Sequence, residues 1–292
     1  MASLALELPP EAEADQLSKT LRKLGAPRDT EAVAATLRLA AGLPASAAET
    51  GVPPQTSGSS STTLSAHERT ALDALLADLD EARAKGFEEA VECLGNPRVR
   101  RVLAALRAFE DRPVVLPFGG RDDSDAAARA LARAAGQLFC HPGWELFDLH
   151  AGGSGSSAWE GLLGVTASRC EQIHSLRKAI REMRYAMEAL QPLYEGLDAN
   201  ATRHYQAQVD TLVELQTHIG TMHDIQVCVQ VLASKAHKHE HEHEQAKIVF
   251  PQITASLRSR FDDAWVAFQK GREKLISRAG QQHFYSALLG GV

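Results

Sequence analysis

Between Ile173 and Leu190 the sequence interleaves apolar and basic residues with the period of a helix. At about 100° per residue, Ile173, Leu176, Ile180, Met183, Met187 and Leu190 fall on one stripe, which reads as a buried seam. His174, Arg177, Lys178, Arg181, Arg184 and Tyr185 fall on the neighbouring stripe. Like charges one turn apart repel each other by about 0.2–0.5 kcal/mol per pair in a bare helix, so such a face calls for compensation by an anion. Glu188 is the only acid in line, one turn beyond Arg184, where it can pair with that arginine; Glu182 lies off the stripe. Arginine rather than lysine favours phosphate, because the guanidinium fork grips two oxygens of one group. An imidazole at His174 adds a hydrogen bond, and a proton when phosphate is near. Two readings stand side by side at this stage: a polyanion-binding face, and a solvated basic face of a long helix.

Other residues invite different chemistry. His223-Asp224, with His174 and Asp262 or Asp263, fits the residue types of an HD-like metal-dependent phosphohydrolase. Thr221 three residues before Asp224 also reads as an ordinary helix capping pattern, which accounts for Asp224 without catalysis. In the run His237-Lys-His239-Glu-His241-Glu-His243, the pairs His237/His241 and His239/His243 have helical metal-ligand spacing. The run is polar throughout, and a solvated helix end or loop explains it without a metal. Arg98, Arg100 and Arg101 flank Val99, Val102, Leu103 and Leu106, the pattern of a core helix with solvent-facing arginines. Trp144 and Trp265 read as packing anchors, since basic residues here are not interleaved with aromatics as in a single-strand nucleic-acid groove.

The elements that must position these residues are helical. The chain has 292 residues, 44% of them hydrophobic and 5% aromatic, with Ala and Leu abundant and β-branched residues thin. Good helix formers dominate and no stretch alternates with a two-residue period, so an all-α fold is expected. The formal charge is -6, from 37 acids against 31 bases, which argues against a duplex nucleic-acid or anionic-membrane binder. Four scattered cysteines without a CxxC pair suit a reducing compartment. No apolar stretch approaches membrane-spanning length, and the early residues Glu11, Glu13 and Asp15 suit neither a secretory signal nor a transit peptide. A cytoplasmic address follows, with plastid or nucleus open instead should the N-terminus be incomplete.

Punctuation divides the chain. A short helix over 17–24 is expected to stop at Gly25, with a second from Arg28 to Ala41. Residues 43–65, rich in Pro, Gly, Ser and Thr, read as a flexible insert, and 152–157 as a second linker. Helices are expected from His67 to Cys93, Pro97 to Phe109, Ser124 to Phe139, Trp159 to Gln191 and Asn200 to Ile219. Another starts at Thr221 after Gly220, and one or two more lie between Pro251 and Leu289. An internal echo stands out: Leu17, Leu24-Gly25, Arg28-Asp29 and Leu37 match Leu212, Ile219-Gly220, His223-Asp224 and Leu232 at one constant offset. Two related helical halves follow, over 11–140 and 159–290.

The segment from His174 through Arg177-Lys178, Arg181, Arg184-Tyr185 and Glu188 to Pro192 and Tyr194 resembles the second signature of the conserved histidine α-helical domain (CHAD) family. The segment Leu212 to Asp224, with Gln216, Gly220 and His223, is similar to that family's next helix pair. The elements His141-Pro-Gly-Trp144 and Ala264-Trp265 look like those of members from cyanobacteria and green plants. The resemblance implies two helical bundles in pseudo-two-fold relation around a basic cavity. It implies binding of inorganic polyphosphate without catalysis, with no cofactor and no metal. His174, Arg177, Lys178, Arg181 and Arg184 would line the cavity and Tyr185 would shape it. The family's equivalent basic helix near its start has no counterpart here, so the first bundle is expected to be truncated. Lys19, Arg22, Lys23 and Arg28 would then supply some first-half charge, and an apolar seam left uncovered would favour a homodimer. A helical scaffold with an incidental basic stripe is the remaining reading.

Overall fold

The computed structural model describes residues 14–44, 64–111, 123–148, 159, 167–195, 199–235 and 250–289, and these residues form helices and no strand. The fold is all-α, as the composition requires. Of the insert expected at 43–65, residues 45–63 lie outside the described residues, as do the linker at 152–157 and the His237–His243 run. Among the described residues, no helix is long and apolar enough to cross a membrane.

The chain forms two compact units, one from Ala5–Leu116 with Asp224–Leu257 and the other from Pro117–His223 with Arg258–Val292. In the first unit, α1 (Ala14–Ala40) packs on α2 (Ala66–Gly95), and α3 (Pro97–Asp111) touches both. The expected break at Gly25 is absent: α1 runs through Gly25 and Pro27 as one helix. A glycine and a proline in a helix interior cost about 1 and about 3 kcal/mol, so tertiary packing must outweigh them. The contact that does so is visible at Gly86 of α2, where an added Cβ would lie 3.5 Å from the Pro27 nitrogen and 3.6 Å from its Cδ. Ion pairs Arg83–Glu31 at 3.6 Å and Arg38–Asp80 at 3.3 Å continue this pairing and set the two helices antiparallel.

Val33 and Leu37 of α1, Leu72 and Leu75 of α2, and Ile225 and Leu232 from the end of α8 (Ala199–Lys235) are all buried in this unit. The echo-related segments meet here: Cys228 Sγ donates to the Val33 carbonyl at 3.6 Å, between positions themselves 195 apart. The N-terminus of α2 is closed by a capping box. The Glu68 N–H donates to Ser65 Oγ at 3.2 Å, and the Ser65 N–H donates to Glu68 Oε2 at 3.0 Å. The other oxygen of Glu68 accepts the N–H of Gln252, at 3.3 Å, in the first turn of α9 (Pro251–Ile276). One buried carboxylate thus satisfies orphan donors at two helix N-termini. Burial raises the proton affinity of Glu68, but the bonds from Ser65 and Gln252 outweigh it and hold the carboxyl below its ordinary value.

In the second unit, α4 (Asp123–Phe139) leads into a 3-10 turn (Pro142–Trp144) and the short α5 (Glu145–Asp148). There follow α6 (Ala167–Leu190), α7 (Pro192–Glu195), α8 as far as His223, the later part of α9, and α10 (Arg278–Leu289). Trp144 and Trp265 are buried; Trp144 stacks on Phe268 at 6.1 Å and Trp265 on Phe147 at 5.6 Å. The expected stop at Gly220 is also absent, because α8 continues through it. Thr221 is therefore mid-helix, with its hydroxyl donating to the Thr217 carbonyl at 3.0 Å, and it does not cap Asp224. Of the two glycines read as terminators in the sequence, Gly220 is the one that a side chain of another helix approaches, that of Arg177.

A basic helix as the candidate functional site

The apolar seam of α6 is buried at Ile173, Leu176, Ile180, Met183 and Met187, so the neighbouring stripe is fixed in direction. Leu190, the last member of the expected seam, is only partly buried. Both ends of α6 are held. At its start, a Cβ on Gly143 would lie 2.8 Å from Leu176 Cβ and 3.0 Å from the Gln172 carbonyl, so the turn before α5 sits against α6 where only glycine fits. At its end, the Tyr205 hydroxyl of α8 donates to the Met187 carbonyl at 2.7 Å, and Tyr205 stacks on Tyr194 at 4.0 Å. Tyr194 in turn donates to the Leu288 carbonyl of α10 at 2.9 Å. A helix clamped this way presents its polar face with little freedom to swing.

His174 and Arg177 of that face meet α8, while Lys178 is exposed and the His174 side chain is itself largely open to solvent. The rings of His174 and His223 lie 6.0 Å apart. One turn on, the Arg177 guanidinium lies over Gly220, where an added Cβ would be 3.7 Å from Nε. The two contacts step by three residues in opposite directions, so α6 and α8 run antiparallel here. One further turn along α8 lies Gln216, whose Oε1 is buried and takes no hydrogen bond. Gln216, Gly220 and His223 form one stripe of α8 at helical spacing. In the sequence His223 stands out through the echo, the hydrolase pattern and the resembling segment, and Gln216 through that segment alone; none of these signals assigns them to the basic stripe.

The electrostatics show the same convergence. Burial lowers the proton affinity of His174, and the nearby charges of His223, Arg177, Lys178 and Arg181 lower it further. These side chains therefore share one positive field. Arg184 stands apart in character: its Nε is 3.5 Å from Glu188 Oε1, and its guanidinium covers the ring of Tyr185 at 4.6 Å. The pairing expected from the sequence is present, and it partly neutralises that end of the stripe. Tyr185 itself is exposed. Lys19, Arg22, Lys23 and Arg28 are all exposed on α1, in the other unit.

Two catalytic arrangements can be examined atom by atom. His141 Nδ1 accepts the Gly143 N–H at 3.0 Å, so its proton resides on Nε2, which faces Ser175 Oγ at 3.0 Å. The imidazole donates to that hydroxyl, the reverse of what activation of a nucleophile requires. For the hydrolase pattern, burial raises the proton affinity of the Asp262 carboxyl, with Arg258 opposing, and Oδ1 of Asp262 is buried without a hydrogen bond. Among the described residues, no group of three or more His, Cys, Asp or Glu side chains comes together as a metal-binding set.

A family model described as CHAD domain matches residues 3–233. No curated protein and no solved structure matches the chain.

Proposed function

Since this chain belongs to the CHAD domain family, we propose that it binds inorganic polyphosphate, without catalysis, on the basic face that α6 presents toward α8. His174, Arg177, Lys178 and Arg181 are the principal ligands, with Arg184 and Tyr185 at the far end. His223 and Gln216 join them from α8. The observation that supports this most is the shared positive field at His174, sustained by Arg177, Lys178 and Arg181 on a helix clamped at both ends. Clustered cations that are costly alone become favourable when repeated phosphates neutralise them, and counterions are released as they do. Guanidinium groups grip phosphate oxygens in pairs, while the Gln216 amide and the His174 imidazole supply neutral hydrogen bonds. Any charge from Lys19, Arg22, Lys23 and Arg28 would be secondary. The net charge of -6 favours a localised site over general polyanion binding.

The test is a titration with long-chain polyphosphate, with orthophosphate as control. The wild-type chain should bind the polymer and not the monomer, and Arg177→Ala with Arg181→Ala should weaken polymer binding at least tenfold. Unchanged affinity in that double variant would refute the site. Metal-dependent release of phosphate from the polymer would favour the competing phosphohydrolase reading.

A further inference from the structure

In the first unit, α3 carries a basic face of its own. From Pro97 to Ala108 it holds the arginines Arg98, Arg100, Arg101 and Arg107 and no acid, in a chain whose formal charge is -6. Val99 and Val102 are buried and fix the direction of the helix, and all of these arginines are exposed. Leu103, expected in the core, is exposed with them. Among the described residues, none of the α3 arginines forms an ion pair, whereas Arg38, Arg83 and Arg184 on other helices each meet a carboxylate.

The spacing of these arginines converges on one point. On a helix surface the neighbours of a residue stand three and four positions away on either side, about 5–6 Å off between Cβ atoms. For Ala104 those neighbours are Arg100, Arg101, Arg107 and Ala108. Ala104 and Ala108 are themselves exposed. A floor of bare methyl groups is therefore walled by the bases of Arg100, Arg101 and Arg107, and Arg98 extends the wall one turn beyond Arg101. Arginine side chains are long enough to lean over so small a floor and close on one anion, each fork giving parallel N–H donors to phosphate oxygens. The helix N-terminus is not part of this arrangement, because Asn96 Oδ1 already accepts the Arg98 N–H at 2.9 Å.

The surroundings select the class of anion. The described side chains of α3 include no aromatic ring on which a base could stack, which disfavours single-stranded nucleic acid. The negative charge of the whole chain opposes an extended anionic surface such as a duplex or a membrane. A narrow, flexible chain of phosphate groups meets neither objection. We propose that α3 is a second binding site for inorganic polyphosphate, centred on Ala104 and formed by Arg100, Arg101 and Arg107. It takes the same ligand class as the proposed function but does not rest on the α6 face, and its test is made with that face disabled.

The probe is tripolyphosphate, titrated calorimetrically into the full chain carrying Arg177→Ala and Arg181→Ala, with orthophosphate as control. Saturable binding of tripolyphosphate should remain in this background. Adding Ala104→Glu should weaken it by about tenfold or more, since a carboxylate set among the arginines takes over their charge-assisted hydrogen bonds. Helical circular dichroism should hold or rise, because glutamate three or four residues from arginine stabilises a helix. Ala104→Ser keeps the floor small and should bind as its parent does. No binding in the parent background, or equal affinity after Ala104→Glu, would overturn the inference however the α6 face behaves. A wild-type chain that loses all binding through Ala104→Glu alone would support the α3 site and refute the α6 site instead. An oligonucleotide or an anionic vesicle held at α3 in preference to tripolyphosphate would overturn the choice of ligand.

Discussion

Arg177 and Gly220 pack against each other across α6 and α8, with the guanidinium over the bare backbone of Gly220. An added Cβ would sit at ordinary van der Waals distance, 3.7 Å from Nε, whereas anything longer would occupy the guanidinium's position. Gly220→Ala should therefore raise thermal stability, by about 0.5–1 kcal/mol as for any mid-helix glycine, with polyphosphate affinity retained. Gly220→Leu should keep helicity and lose most of the binding. Thermal melts paired with titrations separate these outcomes; equal affinity in both variants would mean that Arg177 does not act from this position.

His174 gives the site a pH dependence with a definite sign. Its proton affinity is depressed in the folded chain by burial and by neighbouring cations, so the unfolded chain holds the proton more tightly. Stability attributable to His174 is therefore present above its ordinary value of 6.5 and falls as pH drops through that value. A bound polyanion opposes that field and raises the proton affinity of His174, so binding should take up a proton and tighten on acidification. Calorimetry in two buffers of different ionisation enthalpy measures that uptake, and His174→Gln should remove most of it. Proton release on binding would contradict the geometry.

Glu188 pairs with Arg184 and, under the proposed function, would compete with phosphate for it. An exposed pair of this kind contributes about 0.2–1 kcal/mol, so Glu188→Gln should strengthen polyphosphate binding by up to about fivefold with little change in stability. Titration of the variant checks this, and weaker binding would show that Glu188 orders Arg184 rather than restraining it.

The all-α fold was legible from composition, and the basic stripe of α6 from spacing alone, because one apolar seam fixes the direction of every other residue on a helix. The pairing of Arg184 with Glu188 was legible for the same reason, being a matter of one turn. What spacing could not reveal lies between helices. Gly25 and Gly220 look like helix terminators until Pro27 is seen against Gly86 and Arg177 against Gly220. Gln216 and His223 enter the site only through the antiparallel register of α6 and α8, which no local signal encodes. Leu103 fits a core pattern, yet it is exposed.

Glu68 joins two helix N-termini through one carboxylate. Glu68→Gln keeps the shape and removes the charge that both helix ends favour, and should cost about 1–3 kcal/mol in chemical denaturation. Because its folded proton affinity lies below the ordinary value of 4.5, its contribution is complete above that pH and is lost as the carboxyl protonates at lower pH. The wild type should therefore lose its advantage over the variant in acid; a constant difference across that range would argue against a charged clasp.

The salt dependence of polyphosphate binding tests the central claim most directly. A face of clustered cations gripping a polyanion predicts that affinity falls linearly on a log–log plot against salt, and that Arg177→Ala with Arg181→Ala lowers the slope by about one for each cation removed. Affinity indifferent to salt, or a slope unchanged in the double variant, would contradict it.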